Sequence, residues 1–194
     1  MRTAKISRKT KETDITCEII LDSNGKADIS TGIGFLDHML TALSVHSGIS
    51  MNIQADGDLH VDGHHTAEDI GIVLGQCFAK ALSDKSGIAR YGSAYIPMDE
   101  ALGFAAIDIS NRPFLVFDCD FKNERIGDFE TCLALEFFRA FAFNALITLH
   151  VRAIYGENDH HKCEAIFKAC AHALKDAVAI KGAKTVTLST KGVI

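Results

Sequence analysis

Apolar positions along the chain fall into two alternating rhythms. Ile70, Val73, Leu74, Cys77, Phe78, Ala81 and Leu82 recur at intervals of three and four, the period of a helix buried on one side. Ile166, Cys170, Leu174 and Val178 repeat that period near the C-terminal end. By contrast, "SGISMNIQAD" (47–56) and "LITLHVRAIY" (146–155) alternate apolar with polar residues and predict strands. Each strand is preceded by a helical stretch, "FLDHMLTALSVH" (35–46) in one case and "LALEFFRAFAFNAL" (133–146) in the other. Further strands are predicted at "DITCEIILD" (14–22), "GFAAIDIS" (103–110) and "FLVFDCD" (114–120).

The order helix, strand, helix therefore occurs twice. Between strand and second helix each copy spells His-His-x-x-Glu, in "DGHHTAEDIGI" (62–72) and in "ENDHHKCEAIF" (157–167). The offset is 96 residues, His64 to His160, and it superposes Met51 on Ile147, Ile53 on Leu149 and Ala55 on Val151. We expect an α+β fold made by internal duplication, each half a small, mostly antiparallel sheet with helices packed on one face. The repeats should span about 1–92 and 93–194, with the boundary near Arg90 to Pro97, and form one compact domain. Only Pro97 and Pro113 interrupt the chain, and no Ser- or Pro-rich linker separates the halves.

At 194 residues, 47 % hydrophobic and 23 % charged, the chain has ample material for a core. A net charge of −5 without a basic stripe argues against nucleic-acid binding. The start, "MRTAKISRKTKETDI", is polar and basic and leads into no apolar signal core. The longest apolar stretch, "LALEFFRAFAFNALITLHV", is broken by Glu136, Arg139 and Asn144, so no membrane span is expected. A soluble, cytoplasmic protein is the expectation. Six cysteines lack any CxxC spacing and are expected to be reduced.

On a helix, positions i and i+4 share a face while adjacent residues point about 100° apart. His64 thus projects with Glu68 and His160 with Glu164, while His65 and His161 point elsewhere. Adjacent histidines suit two ions, each completed from another element, unlike a His-Glu-x-x-His helix that grips one zinc. Imidazole with carboxylate and no thiolate fits Mn, Fe or Zn. One copy alone would be read as a solvated helix start, with Asp62 or Asp159 as cap; repetition of the same side chains makes metal binding the better reading. His38 and His150 either complete a coordination shell or are satisfied core histidines, and His46, His60 and His172 are read as structural or surface groups.

Taken together, "RKTKET" (8–13), "FLDHML" (35–40), "DGHHTAEDIGIVLG" (62–75), "PMDEAL" (97–102), "IGDFET" (126–131), "EFFRAFAFNALITLHV" (136–151), "GENDHHKCEAIFKA" (156–169) and "STKG" (189–192) resemble the imidazoleglycerol-phosphate dehydratase family. The resemblance implies a hydro-lyase of histidine biosynthesis with two Mn2+ ions per active site, other divalent metals being possible. It implies a 24-subunit homo-oligomer with metal sites between subunits. On matching positions the metal ligands are His38, His64, His65, Glu68, His150, His160, His161 and Glu164. The substrate phosphate would be anchored by Arg90, Arg112, Lys168, Ser189 and Lys191; Glu12, His65, Glu68 and His161 would be catalytic. Two positions depart from the family pattern, Asn111 where Gly is common and Cys132 where an acidic residue is common. A metal-dependent scaffold, or a different di-metal enzyme on the same fold, would use the same ligands.

The dehydration takes a hydrogen from a carbon with no carbonyl beside it, so no enolate can form. The imidazole ring must supply the push, as an imidazolate that expels the hydroxyl through a diazafulvene-like species, with Glu12 the candidate base or proton shuttle.

Overall fold

The computed structural model describes residues 1–182 and 188–189. Ten strands and four helices occur among them: β1 Thr3–Lys9, β2 Thr13–Ile20, β3 Ala27–Ser30, α1 Gly34–Ser47, β4 Ser50–Gly57, α2 His64–Leu82, β5 Tyr91–Met98, β6 Ala101–Asp108, β7 Phe114–Asp118, β8 Arg125–Ile126, β9 Phe129–Glu130, α3 Cys132–Ala145, β10 Thr148–Tyr155 and α4 Asp159–Val178. The first sheet has the order β1-β2-β4-β3 and the second β5-β6-β10-β7. In each, two antiparallel pairings are followed by one parallel pairing, β3 with β4 and β7 with β10. Two independent sheets with the same strand order and directions are the expected mark of duplication.

The helices form a layer between the sheets and pair across the halves: α1 packs on α4, and α2 on α3. Each also covers its own sheet, α2 on β1 and β2, α4 on β5 and β6. Phe137, Phe138, Phe141 and Phe167 are fully buried in this layer, and Phe137 stacks on Phe167 with ring centroids 5.4 Å apart. Gly71 and Gly75 let α2 approach α3 closely. A Cβ on Gly71 would lie 2.7 Å from the Phe137 carbonyl oxygen, and one on Gly75 would lie 2.7 Å from that of Phe141.

The outward faces of the sheets differ. The first presents Lys5, Ser7, Lys9, Asp14, Gln54 and Asp56. The second presents Tyr91, Tyr95, Phe114 and Ile154, all exposed, with Tyr95 packed on Phe104 at 4.6 Å. The outward face of the second sheet thus mixes these exposed apolar side chains with exposed His150 and the Arg152–Asp118 ion pair, where its duplicate is polar.

Candidate functional site

Both His-His-x-x-Glu motifs open a helix, and in each the residue two before the first histidine takes its backbone N–H. Asp62 Oδ1 accepts from His64 N at 2.8 Å, and Asn158 Oδ1 from His160 N at 2.9 Å. The cap of α4 is thus Asn158 and not Asp159, a correction to the sequence reading. Asp159 is buried and turned away, accepting from the backbone N–H groups of Lys122 (3.1 Å) and Asn123 (2.7 Å) and pairing with Lys162 at 2.6 Å. Burial works against its charge, but those donors prevail and hold its pKa at about 2. An Asn158→Ala substitution is expected to cost about 1 kcal/mol, the usual loss of a helix cap, read as a lower midpoint in chemical denaturation.

The first histidine of each pair faces its glutamate as i,i+4 geometry requires. His64 Nε2 lies 3.7 Å from Glu68 Oε2, and His160 Nε2 lies 3.2 Å from Glu164 Oε2. In the second half α1 adds His38, whose Nε2 is 3.3 Å from the same Glu164 oxygen. Among the described residues, His38, His160 and Glu164 are the group that brings three ligand atoms within 4.8 Å of one another. Phe35 walls this group, edge-on to His160 at 5.0 Å and to His38 at 6.2 Å. The start of α1 is fixed from the other half, where Asp128 accepts from Gly34 N (2.7 Å) and Phe35 N (3.2 Å). Burial opposes the charge of Glu164, yet Lys168 at 2.5 Å and His38 outweigh it and lower its pKa. Two imidazoles and a carboxylate in contact are a donor set suited to a divalent ion of intermediate hardness.

The second histidines point elsewhere. His65 Nδ1 stands 3.0 Å from Asp58 Oδ2 and 4.0 Å from Glu12 Oε2, and His161 Nδ1 stands 2.7 Å from Glu100 Oε2. Both imidazoles have raised pKa values, first through those hydrogen bonds to Asp58 and Glu100. Glu12 sits on the β1–β2 turn, at a cleft of about 290 Å3 shared with Lys9, Lys11, Asp58 and His60. That turn is tied to α2 by Asp69, which is buried, accepts the Thr13 hydroxyl at 2.5 Å and pairs with Arg8. His150 is exposed on the outward face of β10, opposite Ala106 and Val116 of the neighbouring strands. His46 and His172 are half-buried where α1 meets α4, ring centroids 5.6 Å apart.

The cationic positions divide into two places. Arg90 is buried and grips Asp108 through Nε at 2.7 Å and Nη2 at 3.2 Å, while its Nη1 donates to the Leu188 carbonyl. Exposed Arg112 reaches the same carboxylate at 3.4 Å. Ser189 follows Leu188 directly and is half-buried, and Lys191 lies outside the described residues. Lys168 is elsewhere on α4. Arg90 N bonds to Ala177 O, and Lys168 is two and a half turns earlier, roughly 13 Å at 1.5 Å per residue.

The two departures have local accounts. Asn111 has a φ of 55°, a left-handed conformation that Asn tolerates better than most residues, so the turn before Arg112 is kept. Lys85 Nζ donates to the Asn111 side-chain oxygen. Cys132 is exposed at the first residue of α3, where an acid would favour the helix dipole; burial comes first among the causes raising its thiol pKa. Asp58, Glu100, Asp69 and Asp108 were not singled out by the sequence. "PMDEAL" contains Glu100, but nothing in its pattern says which histidine it meets.

A family model described as imidazoleglycerol-phosphate dehydratase matches residues 31–174. The imidazoleglycerol-phosphate dehydratase of Listeria monocytogenes (strain F2365) is 55% identical over 194 residues, covering 100% of both chains. That of Methylorubrum extorquens is 59% identical over 180 residues, 93% of this chain and 92% of the relative. Among solved structures, imidazoleglycerol-phosphate dehydratase from Staphylococcus aureus superposes with a TM-score of 0.84 at 44% identity, covering 92% of this chain and 99% of its own. IGPD from Pyrococcus furiosus in complex with (S)-C348 gives 0.80 at 42% identity, covering 97% and 100%.

Proposed function

The chain belongs to the imidazoleglycerol-phosphate dehydratase family, the hydro-lyases of histidine biosynthesis, and from that premise we propose that it dehydrates D-erythro-imidazoleglycerol phosphate to imidazole-acetol phosphate with two Mn2+ ions per active site. The observation that carries the metal reading is the convergence of His38, His160 and Glu164 from α1 and α4. In this reading His64, Glu68, His65, His161 and His150 supply the remaining ligands. When bound, the ions would hold the substrate's imidazole ring and favour its deprotonated form.

The protein's own groups do the rest. Glu12 is exposed and close to His65, and its carboxylate takes the proton from the carbon that carries hydrogen. The neighbouring hydroxyl leaves with a proton as water, and the resulting enol tautomerises to the ketone. Arg112, aligned with Arg90 by Asp108, holds the phosphate together with Ser189 and Lys191, and Lys168 supplies a further cation. Phe35 shields one side of the His38 and His160 rings from water.

We propose that the enzyme works as a homo-oligomer, of 24 subunits, with metal shared between chains. His150 stands on the exposed outward face of the second sheet, outside the His38 group, and the cationic residues occupy two separate places on one subunit. Both features fit a site completed by a second copy. Working in the cytoplasm is part of the same proposal; no helix among the described residues is long and apolar enough to cross a membrane. The test is turnover of imidazoleglycerol phosphate, followed as ketone formation. Mn2+-dependent product is expected. Bound metal and an assembled shell with no product would instead favour the scaffold reading.

A further inference from the structure

The duplicated halves carry equivalent turns opposite their second histidines. The β1–β2 turn presents Glu12 to His65, and the β5–β6 turn presents Glu100 to His161. Their carboxylates are held very differently. Glu12 Oε2 is 4.0 Å from His65 Nδ1, outside hydrogen-bond range. Glu100 Oε2 meets His161 Nδ1 at 2.7 Å, while its Oε1 accepts the backbone N–H groups of Glu157 (3.0 Å) and Asn158 (2.8 Å) at the entrance to α4. In the first half the close contact to His65 is made by Asp58, whose backbone N–H also donates to the Glu12 carbonyl at 3.0 Å.

We infer that Glu100 is a positioning residue: by accepting the Nδ1–H of His161 and two backbone N–H groups, it fixes the neutral imidazole in the form whose Nε2 lone pair is free for a divalent ion. Asp58 does the same for His65. The chemistry follows from the donor inventory. An ionised carboxylate can only accept, so its contact with Nδ1 requires the proton to be there. A carboxylate behind a ligating histidine also orients the ring and raises its basicity. The exposed Asp99 carboxylate is 3.6 Å from His161 Nε2, beyond hydrogen-bond range, and leaves that nitrogen available.

The inference rests on His161 and His65 being metal ligands, as proposed above, and its test separates the two claims. In metal-free, 15N-histidine-labelled wild-type protein, above the pH at which the imidazoles titrate, His161 is expected in the Nδ1–H form. A Glu100→Gln substitution keeps an oxygen for the backbone donors but turns an NH2 towards Nδ1. That should move His161 to the Nε2–H form and weaken Mn2+ binding about 10- to 100-fold by calorimetry. Turnover should recover as Mn2+ is raised, a response that a folding defect would not give. A wild-type His161 in the Nε2–H form, or Glu100→Gln protein that binds Mn2+ like wild type, overturns the inference. Wild-type protein that binds no Mn2+ overturns the metal reading instead, and the wild-type spectrum still decides which nitrogen the carboxylate protects.

Discussion

Glu12→Gln protein should turn over imidazoleglycerol phosphate at least about 100-fold more slowly than wild type, the usual scale for a lost acid–base group, while keeping its metal content, assembly and substrate affinity. The expectation follows from how little holds the carboxylate. Its turn is anchored around it, by Thr13 and Arg8 on Asp69 and by the Thr10 hydroxyl accepting from Glu12 N at 3.0 Å. The carboxylate itself is exposed, with the His65 ring as a neighbour at 4.0 Å. Gln matches Glu in size but cannot accept a proton, so binding should survive and kcat should fall. Single-turnover kinetics with bound substrate would isolate the chemical step. Near-normal turnover would remove Glu12 from the reaction.

For the proposed Mn2+-linked oligomer, stripping the metal is expected to have the larger effect, taking turnover to background and breaking the assembly into smaller oligomers, both reversed by Mn2+. The reason lies in the division of ligands. His38, His160 and Glu164 sit together where the first two turns of α1 and α4 meet, whereas His150 is exposed on the outer face of β10. An ion completed by residues from two such places on different copies is a cross-link as well as a cofactor. Sedimentation before and after chelation, with metal analysis on the same sample, checks it. An intact and active assembly after verified removal would refute the metal-linked shell.

Much of this was legible in the sequence because the strongest signals were duplicated. The four long helices and β2, β4, β6, β7 and β10 were visible as apolar periodicity, with ends shifted by up to three residues. β1, β3, β5 and the two-residue strands β8 and β9 were not. β1 is an edge strand with exposed Thr3, Lys5, Ser7 and Lys9, β3 is short, and β5 contains Gly92 and Pro97, which weaken any strand signal. The pairing of His160 with Glu164 followed from helix geometry alone. The carboxylates behind His65 and His161 did not, because Asp58 and Glu100 arrive from other elements and look like turn residues in the sequence. The same is true of Asp128, which caps a helix 94 residues earlier in the chain.

The pairing of α1 with α4 and of α2 with α3 also has a bearing on history. Each half's helices are completed by the other half, so a single unit would have left its apolar helix faces open and needed a twin. The ancestral form consistent with this arrangement is a twofold dimer of half-length chains. Joining them replaced an encounter in solution by one at high effective concentration. Once tethered, the two copies no longer had to be identical. One turn could keep a loosely held carboxylate for proton transfer while its counterpart became a fixed brace, and one sheet could turn aromatic while the other stayed polar.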